Sequence, residues 1–199
     1  LLSDVNFEML SGTSVSRDFV ELPSQWFEHW LESEEILKKF TSHYKTKKNI
    51  PAKLLKNVIS SRTFNSGFDT TEYLASAIMD IKLHSEKSIT NPIKLEKTFL
   101  NKIGLTKAIY PRHNLAQFQH IFSGGGYASA YYSYLWSEMM DEDAYSVFKK
   151  TGDTFNKETA ESFEKNILSK GGLKEPEILY KAFRKKLPDP QILIKSRNL

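Results

Sequence analysis

An all-α architecture is what this sequence predicts, with at most one short strand near the amino terminus. Three observations predict it. Apolar residues recur three and four positions apart through most of the chain, the spacing of a buried helical face. Gly104 and the Gly171-Gly172 pair stop such segments and Pro51 opens one, so the punctuation agrees with the period. The connections are short and no repeat or low-complexity tract interrupts them, so one compact helical unit is expected. With 199 residues, 40% hydrophobic and 13% aromatic, the chain can bury a sizeable core.

Leu1 to Leu10 reads as a connector whose alternation at Val5, Phe7 and Met9 suggests one strand. Val15, Phe19, Leu22, Trp26 and Trp30 then share one helical arc and Val20, Phe27 and Leu31 a second, which predicts a buried helix broken or kinked at Pro23. Glu34 to Tyr44 reads as a second helix, and after a basic turn Pro51 leads Leu54, Leu55, Val58 and Ile59 into a third. Asn65-Ser66-Gly67 signals a turn; a long helix is expected from Asp69, capped by Asp69 or Thr70 and carrying Tyr73, Leu74, Ile78, Ile81 and Leu83. Pro92 to Ile103 is amphipathic, and Leu105 to Leu115 is irregular around Tyr110-Pro111. Helical spacing returns with Tyr127, Tyr131, Tyr134 and Glu138 and continues through Met140, Ala144, Val147 and Phe148. Asn156 to Ser169 and Pro176 to Arg184 complete the series.

Two stretches carry candidate chemistry. On the first helix, the projection places Ser14, Asp18, Glu21 and Gln25 in a polar stripe about 60° wide between the two apolar arcs. Buried acids need a metal, a cation or dense hydrogen bonding. The simpler reading is an Arg17–Glu21 surface pair at i,i+4. The second stretch runs from Phe118 to Glu138. Gly124-Gly125-Gly126 can approach a ligand closely, and the tyrosines at 127, 131 and 134 line one helical face. An aromatic stripe of that kind is ordinarily core, as is a histidine such as His120 beside Phe118, Ile121 and Phe122. Arg112 and His113, on the irregular segment, could anchor a peptide carboxylate or simply be exposed.

The net charge of +4 gathers in lysine clusters at 38–39, 45–48 and 181–186, without any nucleic-acid-binding signature; nucleic acid is not expected as a partner. No apolar run approaches the roughly 20 residues that span a bilayer, so a membrane is not expected either. Zero cysteines exclude disulfides and thiol nucleophiles and suit a reducing, cytoplasmic setting.

Several segments resemble one family in order and spacing: SGTSVSRDFVELPSQ at 11–25, FNSGFDTTEYLASAIMD at 64–80, HIFSGGGYASAYYSYLWSE at 120–138, ILSKGG at 167–172 and LYKAFRKKLPDP at 179–190. They are similar to the thimet oligopeptidase and dipeptidyl carboxypeptidase family of zinc metallopeptidases, over the carboxy-terminal part of the catalytic domain. The RDFVE and FN-x-G elements lean towards the dipeptidyl carboxypeptidase branch. The resemblance implies one zinc ion, with Glu21 as its third protein ligand and Asp18 and Gln25 orienting the ligands. It implies that Tyr131 and Tyr134 donate to a developing oxyanion, Tyr134 above all, and that His120 hydrogen-bonds a substrate carbonyl. Gly125, Gly126 and Tyr127 would form the substrate loop, with Arg112 nearby in sequence.

One departure qualifies this. None of His29, His43, His84, His113 and His120 has a second histidine four residues away, so the family's HExxH is absent. The resemblance places it upstream, in the same polypeptide. The chain by itself is therefore expected neither to cleave peptides nor to hold a catalytic zinc; its expected partners are short peptides and that upstream part. A rival reading is a non-catalytic, basic helical module that grips peptide or acidic partners.

Overall fold

Pro23 decides where the first helix begins. In the computed structural model, which describes residues 2–199, α1 runs Leu22–Glu32 with Pro23 in its first turn and Glu21 as N-cap. Continued backwards, the helix would drive the proline ring into the carbonyl of Phe19. Residues 13–21 instead form turns, with Gly12 left-handed at φ 58° and Val20 N–H bonded to the Ser16 carbonyl. The expected stripe of Ser14, Asp18, Glu21 and Gln25 therefore does not form.

Other boundaries shift for equally local reasons. The expected strand at 5–9 gives way to a turn of 3-10 helix at Glu8–Leu10. The only pairing among the described residues is an isolated antiparallel bridge between Ser42 and Asn49. Helix α2 spans Glu34–Phe40, stopping short of Tyr44 because Thr41 turns extended. Helix α3 is Ala52–Ser61, as Pro51 predicts. The turn at Asn65 is itself the entry to α4, Ser66–His84: Asn65 takes left-handed angles, and Asp69 lies inside the first turn rather than capping it. Asn91 caps α5, Pro92–Lys102, by accepting the Lys94 N–H. Helix α6 is Ser133–Thr151, α7 Lys157–Phe163 continued by one π-helical stretch at Glu164–Leu168, α8 Pro176–Arg184 and α9 Gln191–Ser196. The α9 segment carries no expectation from the sequence.

The single unit expected resolves into two, with the boundary inside α6. One takes in residues up to Phe64 together with Trp136–Leu199; the other is Asn65–Leu135. The first is built on Phe19, Leu22 and Trp26 packed with Met140, Phe148, Phe163, Ile167 and Phe183; Trp26 stacks on Phe163 at 4.0 Å between centroids. At its edge Asp143 accepts two bonds from Arg184 and one from Tyr180. Burial alone would raise Asp143, yet those partners hold it below the usual carboxylate range. The second unit packs Tyr73, Ala77, Met79 and Leu83 of α4 against Leu115, Phe118, Ile121 and Tyr131.

Candidate functional site

Glu21 stands where the turns become α1. Its carbonyl accepts the Gln25 N–H, the first helical bond, and its Oε2 accepts the Ser24 hydroxyl at 2.6 Å. The carboxylate is half-buried. Leu22, fully buried next to it, anchors the helix start in the core. The turn ahead of it is fixed from far along the chain. Gly172 N–H bonds to the Leu10 carbonyl at 2.8 Å, and a Cβ on Gly172 would stand 2.3 Å from the Ser14 carbonyl oxygen. Gly171 and Gly172 thus do more than stop a helix; they let two backbones meet beneath the approach to Glu21.

Asp18 and Gln25, either of which could orient the ligands on the family resemblance, line different pockets. Gln25 lines a pocket of about 450 Å³ with Glu28, His29 and Asp141. Asp18 lines another, of about 510 Å³, with Phe19, Trp136 and Met140, and its carbonyl accepts the Ser137 hydroxyl.

In the second unit the expected substrate residues do converge. Helix α6 starts only at Ser133, so Tyr127 sits on a 3-10 turn and Tyr131 on the turn that follows, and the helical row of phenols is not formed. They meet by folding instead. His120 is the hub, its ring 5.1 Å from Tyr127, 5.4 Å from Tyr131 and 5.8 Å from Tyr134. Tyr131 is buried against Tyr73 and Phe118, while Tyr127 and Tyr134 are half-buried. Gly124 to Gly126 are exposed, and Gly124 adopts φ 135°, which only glycine takes without strain.

The irregular segment joins the same cluster. Arg112 Nε bonds Glu72 at 3.3 Å and its amide bonds the Glu72 carbonyl. Burial would lower the Arg112 guanidinium, but its bonds to Glu72 and Tyr131 raise it. His113 stacks on Phe118 at 4.6 Å and meets Tyr131 edge-on; burial, then Arg112 and His120, lowers its pKa and favours the neutral ring.

Asp80 is the residue that the sequence reading passed over. Wholly buried on α4, it accepts the backbone N–H groups of Ser129 and Tyr131, both at 3.0 Å, and bonds His84 at 2.7 Å. Tyr73 helps from two turns earlier on α4: its hydroxyl donates to the Tyr131 carbonyl and accepts the Leu135 N–H. The available signal was an acid inside the apolar run ASAIMDIKL, which has to find partners.

A second acidic constellation lies two turns along α1. His29 Nε2 is 2.7 Å from Asp141 Oδ1, and burial pushes His29 down to about 4 and Asp141 up to about 9, the latter helped by Glu142, Glu138 and Glu28.

A family model described as peptidase family M3 matches residues 1–199. The chain belongs to peptidase family M3. It is 35% identical over 197 residues to a dipeptidyl carboxypeptidase of Salmonella typhimurium, a match covering 97% of this chain and 29% of that protein. To oligopeptidase A of the same organism it is 37% identical over 192 residues, covering 94% and 28%. The organellar oligopeptidase A of Arabidopsis thaliana is 34% identical, covering 94% and 24%. This M3 chain therefore spans under a third of the length of these relatives, and its near-equal identity to the first two separates neither branch. No described helix of it is long and apolar enough to cross a membrane.

Proposed function

We propose that this chain works within a zinc-dependent peptidase of short peptides, an oligopeptidase or peptidyl-dipeptidase, contributing the zinc ligand Glu21 and the glycine–tyrosine substrate loop. The observation that carries the reading is the convergence of Tyr127, Tyr131 and Tyr134 on the His120 ring, with Arg112 and His113 reaching the same Tyr131 from the irregular segment before it. A core aromatic stripe would not also recruit a cationic arginine and leave the neighbouring glycines exposed.

Glu21 fits zinc as one ligand of three. It is a hard oxygen donor, half-buried, with one neutral hydroxyl on Oε2 to orient it. The two histidines and the general base belong to the rest of the polypeptide, so the chain alone is expected to be inactive. Zinc, when bound, lowers the pKa of water and polarises the scissile carbonyl. The chain's own residues do the remainder. Tyr134 donates a hydrogen bond from its phenol to the oxygen that gains charge, joined by Tyr131, whose backbone is held by Tyr73 and Asp80. His120 hydrogen-bonds a backbone carbonyl of the peptide, Arg112 takes a carboxylate, and Gly125, Gly126 and Tyr127 close over it. A cytoplasmic setting belongs to the same proposal.

The complete polypeptide tests this. Glu21→Ala is expected to lose zinc and to cut cleavage of short peptides by more than about 100-fold, since loss of an outer-shell partner alone costs 10- to 100-fold. Tyr134→Phe should keep zinc and lower kcat by about 100-fold or more with little change in KM. Retained zinc and retained cleavage in Glu21→Ala would overturn the assignment.

A further inference from the structure

Between α1, α3 and α6 the 450 Å³ pocket holds a donor set that the proposed reaction does not use. His29, Asp141 and Glu142 each present a ligand atom, all within 4.8 Å of one another; the first two residues are buried and the third half-buried. We propose that these three side chains form a divalent-cation site, selective for an ion of the Zn²⁺ class, separate from the ligand role of Glu21.

The donor chemistry sets the class of ion. One imidazole with two carboxylates suits a borderline transition cation better than Ca²⁺ or Mg²⁺, which take oxygen alone. The geometry is close to what such an ion needs. With bonds of about 2.0–2.1 Å, tetrahedral donors stand roughly 3.3 Å apart. His29 Nε2 and Asp141 Oδ1 are 2.7 Å apart, so they would separate by about half an ångström, and Glu142 would close in. The imidazole is already aimed, because His29 lies flat on Tyr145 at 4.3 Å and 3° between planes.

The charge around the pocket points the same way. Its arginines are committed elsewhere, Arg62 to Glu32 and Arg197 to Glu138. Among the described residues His29 is the only ion-pair partner of Asp141, although Glu28, Glu138 and Glu142 all crowd negative charge towards it. Lys149, 3.7 Å from Glu142 and 58% exposed, competes for that carboxylate but can swing to water, and Arg62, though paired with Glu32, also bears on His29 and Glu142. Glu21 cannot share the ion. Its carboxylate is not among the donors that lie within 4.8 Å of one another: it stands eight residues, about 12 Å of helix rise, before His29, with Oε2 held by Ser24.

Metal counting on the complete polypeptide, equilibrated with micromolar Zn²⁺ and freed of excess, tests the site. Two Zn²⁺ per chain are expected. His29→Gln and Glu142→Gln should each lower the count to one, with Glu142→Gln, on a half-buried residue, guarding against a variant that fails to fold. Glu21→Ala should also give one, which is then lost on adding His29→Gln. With Co²⁺ in place of Zn²⁺, one set of paramagnetically shifted imidazole signals should vanish in His29→Gln while those of the two histidines at the Glu21 ion remain. A wild-type count of one that falls to zero in Glu21→Ala, or a count unmoved by His29→Gln and Glu142→Gln, overturns the site. A single ion lost only through His29 would uphold it while overturning the role of Glu21.

Discussion

The two candidate functional regions of this M3-family chain are held in different ways. Glu21 is placed by a helix start, where a proline, a buried leucine and one serine hydroxyl act within three residues of it. The tyrosine loop has no helix to stand on until Ser133. Its backbone hangs on Asp80 and Tyr73, about fifty and sixty residues earlier, and its rings on His120. A ligand that needs one carboxylate in one place can be set locally. The tyrosine loop, by contrast, is gathered by a buried acid about fifty residues away in sequence.

The sharpest way to break that contrast is Asp80→Ala. One buried and one half-buried amide lose a carboxylate acceptor, and at about 1.5–3 kcal/mol for each such bond the loss should reach about 3 kcal/mol. Urea denaturation measures it. Cleavage by the complete polypeptide should fall with it while zinc content stays, because the damage is confined to the loop. A cost under about 1 kcal/mol would mean that the tyrosine loop supports itself.

Gly172→Ala attacks the other half. The new Cβ would meet the Ser14 carbonyl oxygen at 2.3 Å, backbone against backbone, so the turn before Glu21 has to move. Overpacking of this kind costs about 2 kcal/mol. Hydrogen exchange should quicken over residues 10–21 and stay unchanged at 127–131. If nothing changes near Glu21, its placement is local after all.

Such distant supports explain what could be read in advance. Helices α3, α5 and α8 follow from Pro at their starts and apolar spacing along them, signals carried by neighbouring residues. The family segments were legible too, including Glu21 and the tyrosines, as strings of letters. Their setting was not. Helical projection extended α1 back over Asp18 and α6 back over Tyr127 and Tyr131, because period alone cannot see that a turn is stabilised by a partner elsewhere. For Asp80 and Gly172 the partner is the structure itself: an acid in an apolar run and a glycine after a helix look ordinary until Ser129, Tyr131 and Ser14 arrive beside them.

Tyr73→Phe tests the loop more gently. It removes only the hydroxyl that bridges the Tyr131 carbonyl and the Leu135 amide, leaving the ring stacked on Tyr131 at 5.2 Å. About 1 kcal/mol should go, with a smaller fall in cleavage than Asp80→Ala produces. Equal effects from the two substitutions would place the ring stack, not the buried acid, as the support.

Ser24→Ala should have the smallest effect on stability and the most selective effect on function. Ser24 is exposed, and its hydroxyl donates to Glu21 Oε2, as well as to the Glu21 carbonyl at 3.0 Å. Losing an exposed hydroxyl changes stability by no more than about 0.5 kcal/mol. A carboxylate released from its orienting donor explores other rotamers, however, and each must be given up again before it can serve as a ligand. If Glu21 binds zinc, the complete polypeptide carrying Ser24→Ala should lose zinc about 10-fold faster to a chelator, at unchanged urea midpoint. If Glu21 is no more than a helix cap, the order reverses: the midpoint drops slightly and the chelation rate does not move.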